Sequence, residues 1–358
     1  MVIAGGGTGG HLFPALALAD ELKKRDAKAE ITFVGSSRGI ESRVVPSLGY
    51  RLELLDVEGI KRRSSARKIR ALAKAVAATL KAIKLIKAIR PDGVIGTGGY
   101  CSGPVVLAAR LLGIKTAILE QNAVPGLTNR ILGRFVHRIY TSFEEAGAYF
   151  PQKKIVLAGN PVRKEILGVK REVRSYQDRL FSIFVFGGSQ GATAINAAFL
   201  DATEHLADIW PQLKVTHQAG YNGFTQVKDA YERKGLKVEL HKFINDMAAA
   251  YKDCDLIICR AGATSLAEIM AVEMPSILVP YPFSSDSHQD ANAKALVDKG
   301  AAIMLKQDEL TGRTLADTIR GLFKDPEKVK SMRQKVGAMA KGDASAVIVD
   351  DYMKLMAS

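Results

Sequence analysis

Gly5-Gly6-Gly7-Thr8-Gly9-Gly10 follows the apolar stretch Met1-Val2-Ile3-Ala4 and leads into His11-Leu12-Phe13-Pro14 and a helical run over 15–24. A strand that turns on five glycines into a helix presents bare backbone N–H groups at the positive end of a helix dipole. That is an anion site, most often a phosphate site. The pattern recurs in the second half, where the apolar run 181–186 enters Gly187-Gly188-Ser189-Gln190-Gly191 and a helix opening at Ala192.

Outward from these two loops, short β-branched runs alternate with helical stretches. Strands are expected at 31–34, 51–55, 93–95, 116–119, 138–141 and 155–157, then at 214–217, 237–240, 256–258, 276–279 and 302–305. Such alternation builds parallel sheets covered by helices on both faces. The expected fold is α/β, two Rossmann-like domains facing a cleft. The first spans 1–160 and the second 161–342, with a C-terminal helix over 343–358 returning to the first domain.

The 358 residues suit two domains with real cores, and 47% of them are hydrophobic. No run approaches 18 uncharged apolar residues, which excludes a transmembrane helix. An N-terminus that is already a strand leaves no room for a signal peptide. Three scattered cysteines, Cys101, Cys254 and Cys259, have no zinc spacing and suit a reduced, cytosolic compartment.

Gly5-x-Gly7-x-x-Gly10 matches the dinucleotide fingerprint, but that reading needs an acid after the second strand. Here the strand ends Val34-Gly35-Ser36-Ser37. A Walker A loop fails as well, because His11-Leu12 stand where Lys and Ser/Thr are required. The nucleotide site fits the second half better. Ala261-Gly262-Ala263-Thr264-Ser265-Leu266-Ala267-Glu268 puts small residues at a helix N-terminus, with Glu268 one turn inside to chelate a ribose diol. Asp286, His288, Gln289 and Asn292 follow the next strand, and polar groups at neighbouring strand ends converge on one crevice. Asp253-Cys254-Asp255 precedes its strand and reads as structural.

GGGTGGHLFPALALADEL (5–22), GTGGYCSGP (96–104), LEQNAVPGLTN (119–129), GNPVR (159–163), GGSQGA (187–192), CRAGATSLAE (259–268) and Asp286-x-x-Gln289-x-x-Asn292-Ala293 occur in this order. Over nearly the whole chain this resembles the MurG family of bacterial glycosyltransferases. The resemblance implies a GT-B fold and inverting transfer of GlcNAc from UDP-GlcNAc to the C4 hydroxyl of MurNAc in lipid I (undecaprenyl-diphospho-MurNAc-pentapeptide), giving lipid II. By the same resemblance Ser189 and Arg163 meet the donor diphosphate and Ile244 offers backbone to the uracil. Ala263, Thr264, Ser265, Leu266 and Ala267 line the nucleotide, and Glu268 holds the ribose. Gln289 and Asn292 bind the transferred sugar or its phosphates, while Thr8, Gly9, Gly10 and Asn122 close over it.

Direct displacement at an anomeric carbon needs a base for the incoming hydroxyl and stabilisation of the departing diphosphate. His11, at the mouth of the first glycine loop, titrates in the useful range. Glu120, following the strand at 116–119, is the rival base. No cofactor is expected to be tightly bound; Mg²⁺ can assist, but no motif requires it. The glycine loop itself is expected to cradle the lipid-linked diphosphate.

The net charge of +14 is uneven: eleven basic residues and no acidic one lie between Glu58 and Asp92. On a helical wheel Ile69, Leu72, Val76, Leu80 and Ile83 form an apolar stripe that reads as core-facing. Arg67, Arg70, Lys74, Lys81 and Lys84 share another face. No aromatic residue interleaves them, so nucleic acid is a poor partner and anionic lipid of the cytoplasmic leaflet a good one. The expected location is peripheral, on the cytoplasmic face of the bacterial plasma membrane. The rival readings are another GT-B enzyme, such as a natural-product glycosyltransferase or a UDP-GlcNAc 2-epimerase, and a non-catalytic nucleotide-sugar or membrane-binding module.

Overall fold

The apolar run after Met1 forms β1 (Val2–Gly5), buried at every position, as the centre of a parallel sheet requires. The computed structural model describes residues 1–55, 65–169, 179–188, 190–284 and 287–358, with backbone alone over 65–73. The remaining strands of the first sheet are β2 (Thr32–Gly35), β3 (Arg51–Leu54), β4 (Gly93–Gly98), β5 (Lys115–Glu120), β6 (Arg138–Thr141) and β7 (Ile155–Leu157). All pair in parallel, in the order β3-β2-β1-β4-β5-β6-β7. Its helices are α1 (Gly9–Arg25), α2 (Glu41–Ser47), α3 (Ser65–Ile89), α4 (Ser102–Leu111) and α5 (Leu127–Leu132). A short α6 (Lys164–Leu167) opens the second half.

There β8 (Phe181–Phe186), β9 (Leu213–Gln218), β10 (Glu239–His241), β11 (Leu256–Cys259), β12 (Ser276–Leu278) and β13 (Ala302–Met304) form a second parallel sheet. Its order is β10-β9-β8-β11-β12-β13. Around it lie α7 (Thr193–His205), α8 (Phe224–Arg233), α9 (Met247–Lys252), α10 (Ala263–Ala271), α11 (His288–Val297), α12 (Gly312–Phe323) and α13 (Pro326–Ala338). Every strand expected from the alternation is present.

The chain divides into Met1–Arg163 with Asp343–Ser358, and Lys164–Gly342, so the junction falls after Arg163 rather than after Asn160. The last helix, α14 (Ala344–Ala357), buries Ile348, Val349 and Tyr352 in the core that α1 covers. The Tyr352 hydroxyl donates to the carbonyls of Val94 and Lys115, at 3.1 and 2.7 Å, tying α14 to β4 and β5. The opposite face of this sheet is covered by α3 and α4.

The apolar stripe of α3 departs from its expected direction. Ala78, Ala82 and Ile86 face the core, while Val76 and Leu80 are 53% and 58% exposed. Alanines let α3 pack closely on α4, and the larger side chains two positions away are turned outward.

Candidate functional site

Strand order reverses between β1 and β4 in the first sheet and between β8 and β11 in the second. In such sheets ligands bind beyond the carboxyl ends of the strands at these reversals. Both glycine loops begin there.

In the first unit the β1–β4 register shifts between Ala4 and Gly5, and Gly5 pairs with Gly98. Into this opening α1 delivers His11, whose Nδ1 lies 3.1 Å from the Thr97 carbonyl. Gly98 has a φ of 108°, and a Cβ there would overlap the imidazole. The same Thr97 carbonyl accepts from Gln121 Nε2 at 2.6 Å. A neutral ring facing a carbonyl carries its proton on Nδ1, which leaves the lone pair on Nε2. Thr8 is the exposed N-cap of α1 and makes no side-chain cap bond; Gly9 and Gly10 begin the helix half-buried.

The cradle expectation needs one correction. The Gly7 N–H donates to Glu41 Oε2 at 2.7 Å, so this amide serves a side chain of the chain itself. Glu41 was not found in the sequence, because it lies beyond the strand end where an acid is sought.

Glu120 is 2% exposed. Its Oε1 accepts from the N–H and Nδ2 of Asn122, at 3.0 and 3.1 Å. Its Oε2 accepts from Asn129 Nδ2 at 2.8 Å and the Gly126 N–H at 3.3 Å. Burial pushes this carboxyl up against the pull of those four donors. Four committed bonds describe a residue that folds its loop, and Asn122 turns its amide to that carboxylate. Arg163 belongs to the first unit, its guanidinium 5.6 Å from the Phe13 ring of α1.

In the second unit, Gly262 caps α10 without a side-chain bond, and Ala263, Thr264 and Ser265 form a half-buried first turn. Leu266 and Ala267, expected to line the nucleotide, are 0% and 5% exposed and pack inward. Glu268, one turn on, accepts from the Tyr251 hydroxyl at 2.9 Å. Gln218, at the end of β9, donates to the Gly188 carbonyl at 3.1 Å and accepts the Ile244 N–H at 2.8 Å. The backbone donor of Ile244 is thus taken by Gln218. Beside it Phe243 stacks on Tyr221, with ring centroids 6.2 Å apart. Ser189 and Asp286 lie outside the described residues.

Two residues expected at the sugar shape loops. Gln289 Oε1 accepts the Tyr281 N–H at 2.9 Å. Asn292 is fully buried, and its Nδ2 lies 3.3 Å from the Ala261 carbonyl. Sequence reasoning missed Gln218, Tyr251 and Phe243; only Gln218, as the last residue of a strand, carried a positional signal. Asp255 is structural, as read: it is buried and paired with Arg179 through two bonds of 2.7 and 2.6 Å.

Among the described residues no three His, Cys, Asp or Glu side chains converge as a metal cage. On α3, Lys74, Lys81 and Lys84 are exposed beside Val76 and Leu80; the side chains of Arg67 and Arg70 lie outside the described residues. No described helix is long and apolar enough to cross a membrane.

Two family models match: the glycosyltransferase family 28 N-terminal domain over residues 1–141 and the C-terminal domain over 182–348. A protein of Syntrophus aciditrophicus (strain SB) is 48% identical over 99% of this chain and 98% of its own length. One from Myxococcus xanthus (strain DK1622) is 47% identical over 99% and 93%. Both are named UDP-N-acetylglucosamine–N-acetylmuramyl-(pentapeptide) pyrophosphoryl-undecaprenol N-acetylglucosamine transferase. The crystal structure of MurG from Acinetobacter baumannii superposes with a TM-score of 0.81 at 32% identity, covering 99% of each chain.

Proposed function

The chain belongs to glycosyltransferase family 28, and from that premise we propose that it transfers GlcNAc from UDP-GlcNAc to the C4 hydroxyl of MurNAc in lipid I, releasing UDP and lipid II. The observation that carries the reading is the pairing of His11 with the Thr97 carbonyl, which sets a basic nitrogen at the reversal point of the first sheet. Near-full-length identity to transferases of that name supports the choice of donor and acceptor.

His11 Nε2 takes the proton of the C4 hydroxyl as its oxygen attacks the anomeric carbon. The new C–O bond forms on the face opposite the breaking bond to phosphate, and UDP departs with the electron pair, which inverts the anomeric configuration. The first turn of α10, with Thr264 and Ser265, offers backbone donors to the leaving diphosphate. Glu268, oriented by Tyr251, holds the ribose. Glu120 is a positioning residue that shapes the loop carrying Asn122, and His11 is the base.

The acceptor is lipid-borne, so the enzyme docks peripherally on the cytoplasmic face of the plasma membrane. Lys74, Lys81 and Lys84 meet anionic headgroups while Val76 and Leu80 enter the interface. Measuring UDP release with and without a lipid I analogue tests the proposal. Acceptor-dependent UDP supports the transferase. UDP-GlcNAc turnover without UDP release points to an epimerase, and donor binding without turnover to a non-catalytic module.

A further inference from the structure

Glu41 sits at the start of α2 and is 1% exposed. Its Oε2 accepts the Gly7 N–H at 2.7 Å, and its Oε1 accepts the Ser36 N–H and hydroxyl at 2.8 and 2.9 Å. Gly7 belongs to the turn after β1, and Ser36 is the first residue beyond β2. Dinucleotide-binding sheets hold pyrophosphate at the first of these places and a ribose at the second. Here one carboxylate bridges both.

The surrounding glycines are cut to fit it. A Cβ built on Gly6 or Gly39 would overlap the Glu41 carboxyl, and one on Gly35 its Cγ. Three glycines, one after β1, one ending β2 and one in the turn beyond it, therefore make room for a side chain of the protein itself. Burial raises the proton affinity of this carboxyl, but hydrogen bonds from Ser36, Gly7 and its own N–H more than offset that, and it titrates below the usual range. It is a charged anion at neutral pH. It also borders a cavity of about 580 Å³ lined by Arg38, Lys74, Lys81 and Tyr100.

We infer that Glu41 is a specificity-determining residue, a resident anion that fills the phosphate position of the first domain and confines the nucleotide diphosphate to the second. A diphosphate approaching Gly7 meets a fixed negative charge on the amide it would need. The inference rests on the reading that the nucleotide site lies in the second unit, which Glu268→Ala tests separately.

The experiment uses the full chain carrying Glu268→Ala, labelled with ¹⁵N-glycine, and inorganic pyrophosphate as the probe. With Glu41 intact, millimolar pyrophosphate leaves the Gly7 amide resonance where an equal ionic strength of sodium chloride leaves it, whatever it does at the first turn of α10. With Glu41→Ala added, the Tm falls, pyrophosphate restores part of it by binding the folded state, and the Gly7 resonance moves. Should Glu41→Ala not fold, Glu41→Ser, which keeps a small hydrogen-bonding group, replaces it with the same expectation. Two results overturn the inference: pyrophosphate shifting Gly7 while Glu41 is intact, or a folded Glu41 variant whose Gly7 resonance pyrophosphate does not move. UDP affinity left unchanged by Glu268→Ala overturns the second-unit reading instead.

Discussion

The Nδ1 atom of His11 lies 3.1 Å from the carbonyl oxygen of Thr97, across the point where β1 and β4 diverge. This contact fixes which nitrogen is basic. His11→Ala and His11→Asn are both expected to lower kcat about 10²–10⁴-fold at saturating donor, with little change in Tm. The asparagine amide can still reach Thr97 but cannot take a proton. Steady-state kinetics in which both variants keep wild-type kcat would remove His11 as the base.

Glu120→Gln tests a different role. The substitution keeps the shape of the side chain but turns an NH₂ group against donors that now bond to a carboxylate. A loss of about 1–3 kcal/mol of stability is expected, seen as a lower Tm. The fall in kcat should be smaller than for His11→Ala. A Glu120→Gln enzyme that melts like wild type but is catalytically dead would make Glu120 the base after all.

Glu268 and Tyr251 act as a pair in donor binding. Tyr251→Phe deletes the hydroxyl that orients Glu268, so KM for UDP-GlcNAc should rise about 3–10-fold with kcat nearly unchanged. Glu268→Ala should raise it further. Isothermal titration with UDP checks both, and equal affinity in all three proteins would detach Glu268 from the ribose.

His217 makes the second unit acid-sensitive. Asn196 donates through Nδ2 to the Ala219 carbonyl, so its Oδ1 accepts from His217 Nε2–H, and His217 Nδ1 accepts from Tyr231. Burial lowers the imidazole from 6.5 to about 3. Between those values the unfolded chain binds a proton that the folded chain does not, so stability falls as pH drops from 6.5 towards 3. The loss is on the order of several kcal/mol. Trp210, the single tryptophan, packs against the same core and reports urea unfolding. His217→Phe should flatten the pH dependence while lowering stability at neutral pH; an unchanged slope would acquit His217.

Charge on α3 should govern vesicle binding. Replacing Lys74, Lys81 and Lys84 with Ala removes about 1 kcal/mol of attraction per residue, roughly 10²-fold in partitioning to anionic vesicles. Turnover of a soluble acceptor analogue should be retained. Flotation that ignores both salt and anionic lipid would count against docking through this helix.

The strands were legible because parallel sheets demand unbroken apolar runs, and the glycine loops because backbone geometry demands glycine. Glu268 was legible as a carboxylate one turn inside a helix whose first turn is small. Side-chain direction was harder. Val76 and Leu80 belong to a periodic stripe, yet the alanines at 78 and 82 take the core face, because close packing of α3 on α4 favours small groups. Asn122, Asn292 and Ile244 read in the sequence as ligand contacts, and each also spends a donor inside the protein. Spacing along a chain does not reveal such partners. Glu41 was hidden for the same reason: its anchors, Gly7 and Ser36, come together only once β1 and β2 pair.

The return of α14 sets an order of events during synthesis. Tyr352 fills the core beside β1 and bonds to β4 and β5, and Asp350 and Asp351 pair with Arg25 and Arg138 of the first unit. None of these bonds can form until the whole second unit has left the ribosome. The domain begun first is therefore closed last, and a nascent chain stalled anywhere before residue 344 carries a first domain whose apolar seam is still open to chaperones and proteases.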